Sequence, residues 1–395
     1  MITLVIATAC DVLNHGLGSA RRPLANEASE GGSMLTDALR FALFGWRLSI
    51  VILLPAAILA EALHFPLLTF GLAALALVPL ASLLGDATEQ VAAHSGIAAG
   101  GLLNATLSNI TELIIGFLAL WNGHTEVVKA SITGSIIGNL LLVFGLAAFV
   151  GGLGREKLRF SSAAVGTNTF MLFLAVVALI MPALFQLSVV RSLEPAGLSI
   201  EHLSLWTAVV LLIVYGGSLV FMFRTHRSLF GRAGLANPVL TLGAAVGTLA
   251  AATALTVVAS QVLVSHIDPV TRTLGWTELF VGLIIVAIVG NAAEHSAAVM
   301  LARKDRMDLA LNVAIGSSAQ IALFVAPLLV LVSWARPHAM SLVFHPLEIA
   351  AVVISVGVAT AASIDGETNW FEGLQLLAVY VILAVFFYFL PKPGH

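Results

Sequence analysis

The chain has 395 residues, of which 59% are hydrophobic and only 10% charged, and its formal net charge is −3. A soluble domain carries about 25% charged residues, so the apolar surplus faces lipid and a soluble fold is excluded. The small net charge, with no basic patch interleaved with aromatics, excludes a nucleic-acid partner; a single cysteine, Cys10, excludes intrachain disulfides and cysteine-built metal sites.

Residues 1–40 are expected to form a poorly ordered tail. Their apolar run, MITLVIATACDVL, is short, and Arg21 and Arg22 follow it where a secretory signal would place positive charge before it. Met34 is an alternative start. Eleven apolar runs come next, near 41–61, 64–85, 96–121, 126–150, 161–186, 203–223, 238–264, 276–302, 308–334, 345–363 and 372–390. Each approaches the ~20 residues a helix needs to cross the hydrocarbon. Backbone groups in lipid must be satisfied within the protein, so runs of this length are helices. The predicted fold is an all-α polytopic membrane protein of about eleven transmembrane helices. An extra first helix over 41–61 precedes a five-helix repeat over 62–223, a basic linker over 224–237 and a second five-helix repeat over 238–390.

Lys and Arg set the orientation. Twelve fall on the side of the amino terminus, in the tail and the loops around Arg155–Arg159, Arg224–Arg232 and Arg303–Arg306. Five fall on the other: Lys129, Arg191, Arg272, Arg336 and Lys392. The positive-inside bias makes the amino terminus cytoplasmic. Arg47, inside the first run near its end, is expected to snorkel.

Two of the runs carry acids at mid-span. Gly96–Trp121 contains Asn109 and Glu112, and 276–302 contains Asn291 and Glu294. The two sets are 182 residues apart, and the same offset maps Gly134-Ser135 onto Gly316-Ser317 and Asp86 onto Asp268. Several matches at one spacing mean an internal repeat. With five spans in each copy, equivalent helices cross in opposite directions, as in secondary transporters whose site lies at the midplane. A carboxylate at that depth costs roughly 2.5–3.5 kcal/mol, so a duplicated one points to function.

Asn109 and Glu112, spaced i, i+3, share a helix face, as do Asn291 and Glu294. The next run of each half adds Ser135 with Asn139, and Ser317 with Ser318 and Gln320. The resulting donors are all oxygen, which suits a hard cation such as Ca²⁺. Two carboxylates neutralise one divalent ion, and protons bind when it leaves. His295 fits a satisfied interior histidine or a proton or gating role equally. Asp86 and Asp268, at span ends, read as solvated or capping acids, or as gating groups.

These residues resemble the CAX-type calcium/proton exchangers of the Ca²⁺:cation antiporter superfamily. The family's first motif, GLLNAT…N.TELI then GSI..NLLLV.G, is similar to Gly101–Ile114 and Gly134–Gly145; its second, GNAAEH then GSS.QI, is similar to Gly290–His295 and Gly316–Ile321. Thr225–Phe230 and Asp365–Trp370 also match, and the likeness runs from about residue 40 to 390. The resemblance implies a Ca²⁺/proton antiporter rather than an enzyme. Glu112 and Glu294 would be the ion-binding acids, with Asn109, Asn291, Ser135, Ser317 and Gln320 around them, and Glu112, Glu294, His295 and Asp86 would serve proton coupling or gating. Ca²⁺ and protons are then transported ions in a lipid bilayer, no cofactor is needed, and homo-oligomerisation is left open. Ser108-Asn109-Ile110 departs from the family's Gly-Asn-Ala, and the loop after the sixth run is basic where many members are acidic. A prokaryotic cell membrane is the expected location. The competing readings are a Na⁺-driven exchanger on the same fold, a cation channel, and an intramembrane hydrolase; no pore-length polar stripe or nucleophile–base pair supports the last two.

Overall fold

The computed structural model describes residues 45–95, 97–189, 197–226, 238–337 and 339–391. The tail expected over 1–40 and most of the 224–237 linker lie outside the described residues. A short 3-10 turn leads into helix α1 (Ile50–Ala62), and α2 (Pro66–His94) follows with proline at its first position, where the missing N–H costs nothing. The third run is broken into α3 (Ile97–Leu107) and α4 (Ile110–Trp121). Then come α5 (Thr125–Gly152), α6 (Ser162–Val189) and α7 (Gly197–Val220). The second half contains α8 (Leu242–Ser265), the short α9 (Ile267–Leu274), α10 (Glu278–Gly290), α11 (Ala292–Arg303), α12 (Met307–Ser333), α13 (Pro346–Ala361) and α14 (Trp370–Tyr388).

Among the described residues seven helices are long and apolar enough to cross a membrane, or nine if each broken pair is one span. The tenth predicted span is shorter than expected, with 16 helical residues in α13, whereas the first begins at residues 41–44, outside the described residues, and continues as the 3-10 turn and the 13 residues of α1. The second is longer, because α2 continues nine residues past residue 85 into the polar Asp86–His94 segment. Arg47 does not snorkel. It is buried and paired with Asp86 of α2, and it also donates to Ser82 Oγ at 3.2 Å.

The halves interlock by exchanging partners. The long α2 lies along α8, its counterpart in the second half. The carboxyl-terminal part of α5 packs on α14, and that of α12 packs on α7. Likewise α4 lies on α8, α11 on α2, and α6 on α13. An element of one half therefore buries its face against the other half, and the two broken helices are drawn together.

Loop contacts sort the chain ends of the helices into two faces. On the first, His94 Nε2 meets the Leu240 carbonyl at 2.8 Å, Arg155 donates to the carbonyls of Ala302 and Arg303, and Lys157 pairs with Glu367 at 2.8 Å. There β1 (Leu158–Arg159) pairs antiparallel with β2 (Glu367–Thr368), Leu158 opposite Thr368. The Asp365–Trp370 motif is structural here: Asn369 accepts from the N–H groups of Phe371 and Glu372 and caps α14. On the second face the Leu342 N–H donates to Ser204 Oγ at 2.9 Å, and His124 lies beside Asp268 and Glu278.

Candidate functional site: two facing helix breaks

Each broken helix is interrupted at an asparagine. The chain bends by 42° between α3 and α4 and by 55° between α10 and α11. Asn109 has φ −96°, ψ 20° and Asn291 has φ −92°, ψ 16°, so the repeat extends to backbone conformation. Each asparagine precedes a helix whose third residue is the mid-span glutamate, Glu112 or Glu294. A carboxylate in a helix's first turn faces free N–H groups and the positive end of the macrodipole, which favours holding charge at that depth.

The breaks are cross-braced between halves. Asn109 Nδ2 donates to Gln320 Oε1 of α12 at 2.7 Å, and Ser108 Oγ reaches the same oxygen at 3.3 Å. Asn291 Nδ2 donates to Ser135 Oγ of α5 at 2.8 Å, and Asn139 Nδ2 donates to Asn291 Oδ1 at 3.1 Å. Asn109, Asn291, Ser135 and Asn139 are buried. Turns of π helix follow Ser135 in α5 (Gly138–Val143) and flank Ser317–Gln320 in α12, local widenings common where side chains are re-aimed for function.

Glu112 lies over Gly290, at the other half's break and four residues before Glu294. Both carboxylate oxygens of Glu112, Oε2 of Glu294 and Oδ1 of Asn139 are buried with no protein hydrogen-bond partner. Buried polar atoms are normally satisfied, and leaving one bare costs about 1–3 kcal/mol, more for a charge. These four oxygens, on three polypeptide segments, are acceptors of the kind that a hard cation or protons use. A small cavity lined by Glu112, Ser131, Ser135, Gly290, Val325 and Leu329 adjoins Glu112.

The other predicted residues fall differently. Gln320 joins the brace, whereas Ser317, the repeat partner of Ser135, is buried on α12 but does not bond Asn109; the longer amide one turn on takes that place. His295 follows Glu294 on α11 and is partly buried. Asp86, expected at a span end, lies inside α2, which runs on to His94, and is held there in an ion pair with Arg47. Asn139, expected beside Ser135, finds its partner in Asn291, and Ser108 is the addition, a polar residue of the first motif that only its contact with Gln320 singles out.

Helix packing is close at one face. Where α10 crosses α5, backbones touch: a Cβ on Gly134 would overlap the Leu283 carbonyl, and one on Gly282 would stand 2.6 Å from the Val127 carbonyl oxygen. Residues 280–287 of α10 are buried throughout. At this face His124, from the loop before α5, has Nδ1 3.9 Å from Glu278 Oε1 and 4.0 Å from Asp268 Oδ1. Its pKa is raised, chiefly by the Glu278 carboxylate.

Comparison with known proteins bears on this geometry. Residues 65–224 and 244–389 match the sodium/calcium exchanger protein family. The chain is 44% identical over 332 residues to a Ca²⁺/H⁺ antiporter of Synechocystis sp., covering 79% of this chain and 88% of the relative. It is 42% identical over 318 residues to the Ca²⁺/H⁺ antiporter ChaA of Bacillus subtilis, covering 79% and 89%. The solved structure of native YfkE superposes with a TM-score of 0.73 at 39% identity, over 86% of this chain and all of that one. The H⁺/Ca²⁺ exchanger CAX, at 18% identity and a TM-score of 0.64 over 86% and 91%, shares the fold. By sequence and by architecture, then, the chain belongs to the sodium/calcium exchanger family.

Proposed function

We propose that the protein is a secondary active antiporter that exchanges Ca²⁺ for protons by alternating access, with Glu112 and Glu294 binding one or the other at the midplane. The observation that carries this reading is the set of unsatisfied buried oxygens on Glu112, Glu294 and Asn139. They offer a hard cation oxygen ligands only. Two facing carboxylates with nothing between them are costly in a low-dielectric interior, so protons take the metal's place when it leaves. A carrier reorienting with those protons avoids moving two bare charges. The relatives named as Ca²⁺/H⁺ antiporters, at more than 40% identity, support protons over Na⁺ as the coupling ion.

Asn109, Asn291, Ser135, Ser317 and Gln320 form the wall of this site, the asparagines holding each break open for the ion. His295 and Asp86 are the remaining candidates for proton handling or gating. The face with β1 and β2 carries Arg155, Lys157, Arg159, Arg303, Lys304 and Arg306 and is the cytoplasmic one by the positive-inside bias. That assigns the amino terminus to the cytoplasm of a prokaryotic cell membrane and makes the tightly packed α5–α10 crossing the closed external face.

Flux in proteoliposomes tests the reading. Ca²⁺ uptake should follow an imposed pH gradient and ignore a Na⁺ gradient at constant pH. Uptake driven by Na⁺ alone would replace proton coupling with the Na⁺ alternative.

A further inference from the structure

Among the described residues one carboxylic acid is fully buried, and it lies outside the helix breaks. Glu348, in the first turn of α13, accepts the His345 N–H on Oε2 at 3.0 Å and so completes a capping box. Capping does not require burial, since the same box forms at solvated helix ends. The second oxygen has a different use: Oε1 accepts the Thr133 hydroxyl of α5 at 2.7 Å, a bond between the two halves. Thr133 is itself buried, one residue before Gly134 and two before Ser135.

The Thr133 hydroxyl has one proton and three acceptors in reach. Besides Glu348 these are the carbonyls of Ala130 at 3.1 Å and Lys129 at 3.3 Å on its own helix. A bond back to the preceding turn is the ordinary state of a helical threonine. A carboxylate acceptor makes the stronger bond, and it is also the nearest. Glu348 therefore draws the hydroxyl off its own helix and fixes the rotation of α5 at the turn that presents Ser135 to Asn291. The other charged groups of α5 on this side are Glu126 and Lys129, which pair with each other at 3.5 Å.

The pair is not duplicated. The 182-residue offset puts Gly166 and Ile315 in the corresponding positions. It belongs to the α5–α10 face alone, next to the glycine on which that face closes.

We propose that Glu348 is a positioning residue for ion exchange, acting through Thr133 to hold Ser135 against Asn291 and thereby to set the second helix break. The inference rests on the reading of the breaks as the ion site. The full-length protein in proteoliposomes provides the test, with Ca²⁺ binding to the purified protein followed by calorimetry. In Glu348→Gln the carbonyl oxygen can keep the cap, but the amide NH2 can only donate to Thr133, whose own proton then returns to the Ala130 carbonyl of α5. That variant and Thr133→Val should each raise the KM and the Kd for Ca²⁺ about threefold to tenfold, with the maximal rate within about twofold. The double variant should be no worse than either single one, because both break one link. Thr133→Ser, which restores the hydroxyl, should return KM toward the original value, a recovery that mere helix packing would not show. If Glu348→Gln does not fold, the Thr133→Val and Thr133→Ser pair decides alone. Unchanged KM in Thr133→Val, or single effects that add, would overturn the proposal. Glu112→Gln measured alongside separates the two levels: Ca²⁺ binding that survives there removes the site itself.

Discussion

At one face of the molecule α10 is seated on α5 with its backbone in contact, and Leu283 is 1% exposed. At the other, α3 occupies the corresponding place in the repeat, yet Leu102 is 46% exposed and Gly101 meets the ring of Phe223, not the backbone of α12. The breaks that end these two segments have similar backbone dihedrals at their asparagines, and each is braced to the other half, Asn109 by Gln320 and Asn291 by Ser135 and Asn139. The difference lies in the approach to them. A repeat whose copies are chemically alike but packed unlike suits alternating access, in which the two halves would exchange packings.

The largest expected effect tests the likeness of the breaks. Glu112→Gln and Glu294→Gln should each abolish Ca²⁺ transport, at least a hundredfold loss, while the protein still inserts and folds. Either amide keeps shape but leaves one negative charge for a divalent ion, and losing a charged buried ligand costs about 3 kcal/mol or more. Near-normal uptake by one of them would show that the halves are not equivalent and that one glutamate is dispensable.

A second pair of substitutions tests the unlike packing. Gly134→Ala places a Cβ into the Leu283 carbonyl and should drive the α5–α10 face open. Gly316→Ala has no atom nearer than Asn312 Oδ1 at 3.4 Å, so the present arrangement should accept it. If the halves trade packings, Gly316 meets the α3 backbone near Gly101 in the other state, and the added methyl should hold the protein as it is here. Overpacking of about 1–3 kcal/mol implies population shifts of roughly five- to a hundredfold, in opposite directions. Distances between spin labels placed across each face would report them. Movement in the same direction for both would contradict an exchange of packings.

The smallest effect concerns His124. Its raised pKa means that the charged bridge to Glu278 and Asp268 is complete below the ordinary histidine value near 6.5 and is lost as pH rises through the higher folded value. The acids are 39% and 53% exposed, so solvent screening limits the bridge to about 0.5–1 kcal/mol. Cysteine labelling at Leu274, after replacing Cys10 and relative to the labelling of a free thiol at the same pH, should rise about two- to fivefold between pH 6 and 9, and that rise should vanish in His124→Gln. Labelling independent of pH in the original protein would remove His124 from the closure of this face.

Much of this was legible in the residues themselves. Composition and run length determined a helical membrane protein, because lipid leaves the backbone no other satisfied conformation. The 182-residue offset identified Asn109, Glu112, Asn291 and Glu294, since a mid-span acid that occurs twice is costly twice. What no pattern could give was which partner each polar group finds. Hydropathy and spacing are properties along the chain, whereas the Asn109–Gln320, Asn291–Ser135 and Arg47–Asp86 pairs join residues 39 to 211 positions apart. The same limit hid Glu348, which sits at a span end and reads as an interfacial cap until its second oxygen is seen on Thr133. Two copies of one motif also cannot announce which face is shut. That depends on how closely α10 and α3 approach the opposite half, and in this fold only the tertiary packing of Gly134 on Leu283 decided it.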